Sequence, residues 1–410
     1  MITSLQACQQ PALFQGFDIG ARRVGPKVAA VISRPGRLAE FGTTIFAEMS
    51  ALAVQTNSIN LGQGFPDTDG PTEVLTAAQQ AIAEGRGNQY PPGPGIPELR
   101  AAIVQHQADY YGIALTADEV LVTVGATEAI ASAILGLTDP GDEVVTFEPY
   151  YDSYAACIAL AGAHRRTVRL QPDNGRWGYD PAELEAAITS RTRLILLNSP
   201  HNPTGTVFNR TELEHIAALA RQHDLIVVTD EVYEHLVFDG EHIPLATLPE
   251  MAERTLTISS GGKTFSVTGW KVGWISGPSA LLNQVRMVKQ FLTYVGSGPF
   301  QYAITAGLQL GRDRIDELAL DLKAKRDLLC AGLNQQGFDV LTPQATYFVT
   351  IDLGVDATEW CRSLPQRAGV VAIPTRVFYD SDVDRYARLA FCKKPEVLTE
   401  ALSRLERIAR

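Results

Sequence analysis

The chain has 410 residues, 45% hydrophobic and 20% charged, with a formal net charge of −11 and a sequence pI of about 5.2. That length suits two domains, or one large domain with a satellite, in an ordinary globular composition. The acidic balance argues against a nucleic-acid surface, which needs a basic face, but leaves room for a local basic site that takes a small anion.

Cys8, Cys157, Cys330, Cys361 and Cys392 are widely spaced, with no CxxC pair. They suggest neither a disulfide framework nor a zinc site, and point to a reducing, cytoplasmic setting with no metal. No apolar run reaches the roughly 18–20 residues of a membrane span. Residues 1–33 carry Arg22, Arg23 and Lys27 against a single acid, Asp18. They read as an irregular arm, with a transit-type segment as the alternative and no secretory signal.

In chain order, a helix is expected over 44–53, with Ile45, Phe46, Met49 and Leu52 on one side. The turn-rich segment Ile59-Asn-Leu-Gly-Gln-Gly-Phe-Pro66 follows. Pro71 and Pro97 each read as the first residue of a helix, ending near 84 and 111. Strands at 120–124, 143–147, 167–170, 194–198 and 225–229 then alternate with helices at 127–137, 151–161, 181–188 and 211–223. The strands are near-continuous apolar runs, as in strands buried on both faces. The alternation predicts an α/β fold, with a mostly parallel sheet flanked by helices and ligands gathered at the carboxyl ends of its strands. Two short strands at 254–258 and 272–275 precede helices at 280–294, 299–310 and 312–334. The remaining chain mixes strands at 347–351, 370–373 and 387–392 with helices at 358–366 and 395–408. It reads as a smaller α+β domain that residues 34–65 join. The expected division is an arm over 1–33, the first part of the small domain over 34–65, a large domain over 66–310 and the rest of the small domain over 311–410.

Four features fall at strand ends. In Val124-Gly-Ala-Thr-Glu128 a glycine turn opens a helix, presenting free N–H groups and a helix dipole to an anion such as phosphate; taken in isolation, a plain strand-to-helix turn is the favoured reading. Asn198-Ser-Pro-His-Asn-Pro-Thr-Gly205 fixes an irregular backbone past a buried strand, so the Asn202 amide would be held rigidly toward a ring oxygen, or would be only a turn-favouring residue. Asp230 ends a strand, with Tyr233 one turn on. The carboxylate would pair with a protonated pyridine nitrogen and the phenol with a ring oxygen, unless the Asp is a helix N-cap. Lys263 lies in Ser260-Gly-Gly-Lys263, a setting that leaves room for a large group near the backbone, with Ser260 and Lys271 available to a phosphate. A solvated loop lysine is the plain alternative.

Together, Ser-Pro-His-Asn-Pro-Thr-Gly, Asp-Glu-Val-Tyr and Ser-x-x-Lys followed by Gly269-Trp-Lys-Val-Gly-Trp274 resemble pyridoxal-phosphate enzymes of the aspartate-aminotransferase fold, the class I/II aminotransferases. The resemblance covers about residues 38–408 and implies a large domain with a seven-stranded type of sheet. Asn60-Leu-Gly-Gln-Gly-Phe-Pro66, Asn88-Gln-Tyr90 and Thr264-Phe-Ser-Val-Thr-Gly-Trp270 resemble the kynurenine/glutamine transaminase subgroup. Phe46-Ala-Glu-Met-Ser-Ala-Leu-Ala53, Gln89-Tyr-Pro-Pro-Gly-Pro-Gly95 and Asp230-Glu-Val-Tyr-Glu-His-Leu-Val-Phe238 resemble actinobacterial N-succinyldiaminopimelate aminotransferases.

The resemblance implies that Lys263 holds pyridoxal 5′-phosphate as a Schiff base and that Asp230 pairs with its pyridine nitrogen. Asn202 and Tyr233 would bond its ring oxygen, and Tyr151 would stack on the ring. Ala126, Thr127, Ser260 and Lys271 would hold the phosphate, joined by Tyr90 of the other subunit of a homodimer. Arg388 would fork onto the substrate α-carboxylate, with Gly64 and Asn198 beside it. Phe46 stands where kynurenine-type enzymes carry a tryptophan over the substrate side chain, and Tyr294-Val-Gly296 where they carry an aromatic–His pair. Amino acid and 2-oxo acid are the implied partners, with N-succinyl-LL-2,6-diaminopimelate and 2-oxoglutarate as the implied pair. Glutamine, methionine, aromatic amino acids or kynurenine, and β-elimination from a cysteine conjugate, are the alternatives.

Overall fold

The structure, a computed structural model, describes residues 36–42 and 44–408, so the arm expected over 1–33 lies outside the described residues. Strands are β1 (Ile59–Asn60), β2 (Val120–Thr123), β3 (Glu143–Glu148), β4 (His164–Asp173), β5 (Arg176–Tyr179), β6 (Thr192–Asn198), β7 (Ile226–Asp230), β8 (Thr255–Ser260) and β9 (Gly273–Ser276). All but β1 form one eight-stranded sheet in the order β2-β9-β8-β7-β6-β3-β4-β5. Its centre is parallel, while β9 runs antiparallel to β8 and β2.

Alternation along the central strands explains their unbroken apolar runs. Leu194, Leu196, Ile226 and Val228 face one core with Ile130 and Ile134 of the helix Gly125–Leu137. Ile195, Leu197 and Val227 face the other, with Leu213 and Ile216 of the helix Arg210–Gln222. Successive side chains point to opposite faces, and both faces are covered.

The sheet has one strand more than the seven-stranded expectation. β4 is longer than the 167–170 run and turns into β5 through Asn174 and Gly175, both at positive φ (49° and 81°). A two-residue Asn-Gly loop of that kind matches the right-handed twist of a hairpin. Two helix starts also differ from expectation: Pro71 is the residue before the helix Thr72–Ala83, and the helix Gly125–Leu137 begins at the glycine itself.

A second sheet contains β10 (Asp339–Leu341), β11 (Phe348–Asp352), β13 (Ile373–Pro374) and β14 (Tyr386–Ala390), in the order β10-β11-β14-β13. Strand β12 (Val370–Val371) pairs in parallel with β1. The helix Ile45–Thr56 buries Ile45, Met49 and Ala53 in the same core as Leu364, Val370 and Leu389. The first described helix therefore packs with the end of the chain. β6 and β7 end level at Asn198 and Asp230, and β8 runs two residues further to Ser260. At this edge Thr350 and Arg388 of the second sheet bond Pro203 and Asn202.

Candidate active site

At that edge a cavity is lined by Gly125, Ala126, Thr127, Tyr151, Tyr154, Asn198, Asn202, Asp230, Val232, Tyr233, Ser260, Gly262, Lys263, Thr268 and Lys271. One end of it is cationic. The helix Gly125–Leu137 starts there without a side-chain cap, so its first N–H groups point into the cavity. Lys271, held at φ 55°, reaches across them: a Cβ on Gly125 would stand 3.1 Å from Lys271 Nζ. Ser260 Oγ lies beside them, accepting from Gly262 N–H at 3.2 Å and donating to the Val272 carbonyl at 3.1 Å. Helix N-terminus, ammonium and hydroxyl make a site for a phosphate-sized anion.

Asp230 sits at the cavity floor. Burial pushes its carboxyl up to about 6, opposed by the Tyr154 hydroxyl, which donates to Oδ2 at 2.6 Å. The other oxygen, Oδ1, has only a long contact of 3.4 Å from Val232 N–H. A buried carboxylate with spare acceptor capacity suits a cationic ring nitrogen.

Lys263 belongs to a one-turn helix, Gly261–Thr264, directly after β8. Burial lowers its amine to about 8, with Arg388 and Lys271 adding to the shift and Asp230 opposing it. Nζ donates to Tyr347 Oη at 2.9 Å and stands 5.6 Å from the centre of the Tyr233 ring. A neutral amine is thus within reach near physiological pH, as a nucleophile or general base requires. The two glycines before it differ in purpose. Gly262 lines the cavity, but a Cβ on Gly261 would meet Ile304 Cδ1 at 2.7 Å, so that glycine admits the helix Gly298–Leu308 rather than a ligand.

Arg388, on β14 opposite Thr350, is buried, and burial lowers it to about 10. Its NH1 donates to Asn202 Oδ1 and its NH2 to the Gly62 carbonyl, each at 3.0 Å, while Nε has no partner. The guanidinium stacks on Phe348 at 3.9 Å and lies 5.3 Å from Phe46. Among the described residues no carboxylate lies within ion-pair distance of it. A buried, unneutralised guanidinium calls for an anion from outside.

Ten of the residues expected at the site therefore converge: Ala126, Thr127, Tyr151, Asn198, Asn202, Asp230, Tyr233, Ser260, Lys263 and Lys271. Arg388, Gly64 and Phe46 stand behind Asn202 and Tyr347. Asn198 is held by the protein: its Nδ2 donates to the Asp230 and Pro200 carbonyls and its Oδ1 accepts from Asn202 N–H, so it braces the loop. Tyr90 is not in this cavity; it is 81% exposed, with its ring edge-on to Tyr294 at 5.5 Å. Tyr154 and Tyr347 also reach the site, although no motif in the sequence singles them out. The signal for Tyr154 is its spacing one helical turn after Tyr151; the signal for Tyr347 is a polar-tipped ring at the entry to a buried strand. Elsewhere, His106, Glu234 and His235 gather outside this cavity, with the two imidazoles sharing a 2.7 Å Nε2–Nε2 hydrogen bond.

Comparison with known proteins gives the family. Residues 56–405 match the family described as aminotransferase class I and II. A probable N-succinyldiaminopimelate aminotransferase of Mycobacterium tuberculosis is 51% identical over 389 residues, covering 91% of this chain and 98% of that protein. A methionine aminotransferase of Escherichia coli is 40% identical, covering 91% of this chain and 97% of that protein. The solved structure of N-succinyldiaminopimelate aminotransferase from Mycobacterium tuberculosis superposes with a TM-score of 0.89 at 51% identity, covering 91% of this chain and 99% of that one. The chain belongs to the class I and II aminotransferases, and it is an aminotransferase.

Proposed function

We propose that this aminotransferase works with pyridoxal 5′-phosphate, anchored covalently on Lys263, and exchanges an amino group between an amino acid and a 2-oxo acid. When bound, the cofactor supplies a cationic ring that delocalises the charge left at Cα after its proton is removed. The fit rests on residues described above: the uncapped helix start with Lys271, the half-satisfied Asp230 carboxylate, and the buried amine of Lys263. Ala126 and Thr127 would hold the phosphate through backbone N–H, with Ser260 and Lys271. Asp230 would keep the ring nitrogen protonated. Asn202, whose Oδ1 is taken by Arg388, has its NH2 left for the ring oxygen, together with the Tyr233 hydroxyl. Tyr151 would cover the ring face.

Arg388 carries the substrate assignment. Its unpaired buried charge would fork onto the α-carboxylate, with the Gly64 N–H beside it and Phe46 toward the side chain. This would fix Cα near Lys263, whose amine, lowered to about 8 and so partly neutral near physiological pH, takes the Cα proton on Nζ and delivers it back during the reverse half-reaction.

The site is read as shared within a homodimer. Tyr90, Phe291, Leu292 and Tyr294 are large, exposed and apolar, and Tyr90 contacts Tyr294. A second copy covering them would bring its own Tyr90 to the phosphate. The same reading divides the chain at 65/66 and 310/311, and assigns it to the cytosol.

For the substrate, the 51% identical relative supports N-succinyldiaminopimelate and the 40% identical relative supports methionine as the second reading; 2-oxoglutarate as the partner oxo acid is carried by the sequence resemblance alone. A half-reaction screen decides between them. The cofactor-loaded protein is mixed with each amino acid and the cofactor absorbance followed; the fastest decay identifies the donor. Lys263→Ala must abolish borohydride trapping of cofactor on the chain. Trapping that persists overturns the anchor.

A further inference from the structure

We infer that Tyr347 is a positioning residue for the transamination reaction, clasping the Lys263 amine and the Gly64 carbonyl with one hydroxyl and so tying the base to the substrate-facing loop. The inference rests on the assignment of Lys263 as base.

A tyrosine hydroxyl has one proton to give. Tyr347 is buried and stays protonated, and its proton is directed at the Gly64 carbonyl, 2.7 Å away. Its oxygen is therefore the acceptor for Lys263 Nζ at 2.9 Å. The Gly64 end is fixed by close packing: a Cβ there would lie 2.4 Å from Phe348 Cζ, so the backbone sits directly against the ring next to Tyr347.

The loop is held along its length by the end of the chain. The Leu61 carbonyl accepts from Ala390 N–H at 2.6 Å, Gly62 from Arg388 at 3.0 Å, and Phe65 from Lys393 Nζ at 2.7 Å. Of these tethers, the one at Gly64 alone also contacts Lys263. One N–H of the amine is thereby turned toward Tyr347, leaving the rest of the nitrogen to face Asp230 and the cavity. An acceptor at this distance also favours the ammonium form, so the hydroxyl partly offsets the effect of burial on Lys263.

Tyr347→Phe keeps the ring and removes both bonds, together with the hydroxyl's interaction with Tyr233; the Lys263 titration is the readout that separates the bond to Lys263 from that interaction. Competitive acetylation of the full chain without added cofactor, read by mass spectrometry of the Lys263 peptide, should show that lysine titrating about one pH unit lower than in wild type. In the loaded enzyme kcat should fall roughly ten- to a hundredfold, the effect of one hydrogen bond to a charged group. Its acid limb should move to lower pH, and KM for the amino acid should rise as the loop loosens. An unchanged Lys263 titration together with kcat within about twofold of wild type overturns the inference, since packing alone is preserved by Phe. If wild type itself fails to trap cofactor on Lys263, the proposed function falls, and the acetylation result still reports on the Tyr347–Lys263 bond.

Discussion

The Tyr154 hydroxyl donates to Asp230 Oδ2 across 2.6 Å, and both residues are buried. The bond stabilises the ionised carboxylate against burial. Tyr154→Phe should therefore push the Asp230 carboxyl above its present value of about 6 and leave more of it protonated at pH 7. Affinity for pyridoxal phosphate should drop roughly tenfold at pH 7 and recover toward pH 8.5. Fluorescence titration of the cofactor at both pH values checks this; equal losses at both would show that the bond does not act through ionisation.

Asp230 also sets a pH dependence of stability in the chain without added cofactor. Its folded-state value is about 6 against 3.8 unfolded. Between about pH 4 and 6 the native state holds a proton at this site that the unfolded state has released. Stability from this group therefore falls as pH rises through that window and stays low above it. Asp230→Asn removes the slope. The gap in thermal midpoint between variant and wild type should shift in the variant's favour from pH 4 to pH 6.5, then level off. A gap independent of pH would contradict the assignment.

Arg388→Ala should lower kcat/KM for every amino acid by roughly a hundredfold or more, chiefly through KM, because it truncates one partner of a buried charged pair. Arg388→Lys should recover only part of the loss, since an ammonium cannot fork onto a carboxylate. Steady-state kinetics with three chemically different donors provide the check. A loss confined to one donor would move Arg388 from carboxylate recognition to side-chain recognition.

Subunit mixing tests whether the site is shared. Lys263→Ala should be inactive, and Tyr90→Ala should need roughly tenfold more cofactor for half-maximal activity, having lost one hydrogen bond to phosphate. Refolded together, the two variants form hybrids in which one site combines intact Lys263 with intact Tyr90. Activity at limiting cofactor should then exceed that of either variant alone. Sedimentation should show a dimer, and a monomer active at wild-type cofactor affinity would exclude the role of Tyr90.

Much of the site was legible because its residues stand at the ends of buried apolar runs. Asn198, Asp230 and Ser260 each terminate a strand, where a polar residue after an apolar stretch is conspicuous. Tyr154 and Tyr347 were not legible, because each buries its ring like a core residue and only the oxygen does chemistry. Apolar burial and polar reach are not distinguished by residue type. β5 had a local signal in Asp173-Asn-Gly175, but Arg176-Trp-Gly-Tyr179 is too short to show a clear alternation. Gly261 misled for another reason: a glycine needed for helix packing looks the same in one dimension as a glycine that makes room for a ligand.

The central strands work as a ruler. Every residue of β7 is buried, its apolar side chains alternate between two cores, and only its last residue, Asp230, emerges at the cavity. Removing one residue within this strand would exchange the two faces and withdraw the carboxylate by about 3.3 Å, with the opposite orientation. The length and parity of an inert apolar run thus set where the charge stands, and an insertion or deletion far from any reacting atom would be as damaging as replacing Asp230 itself.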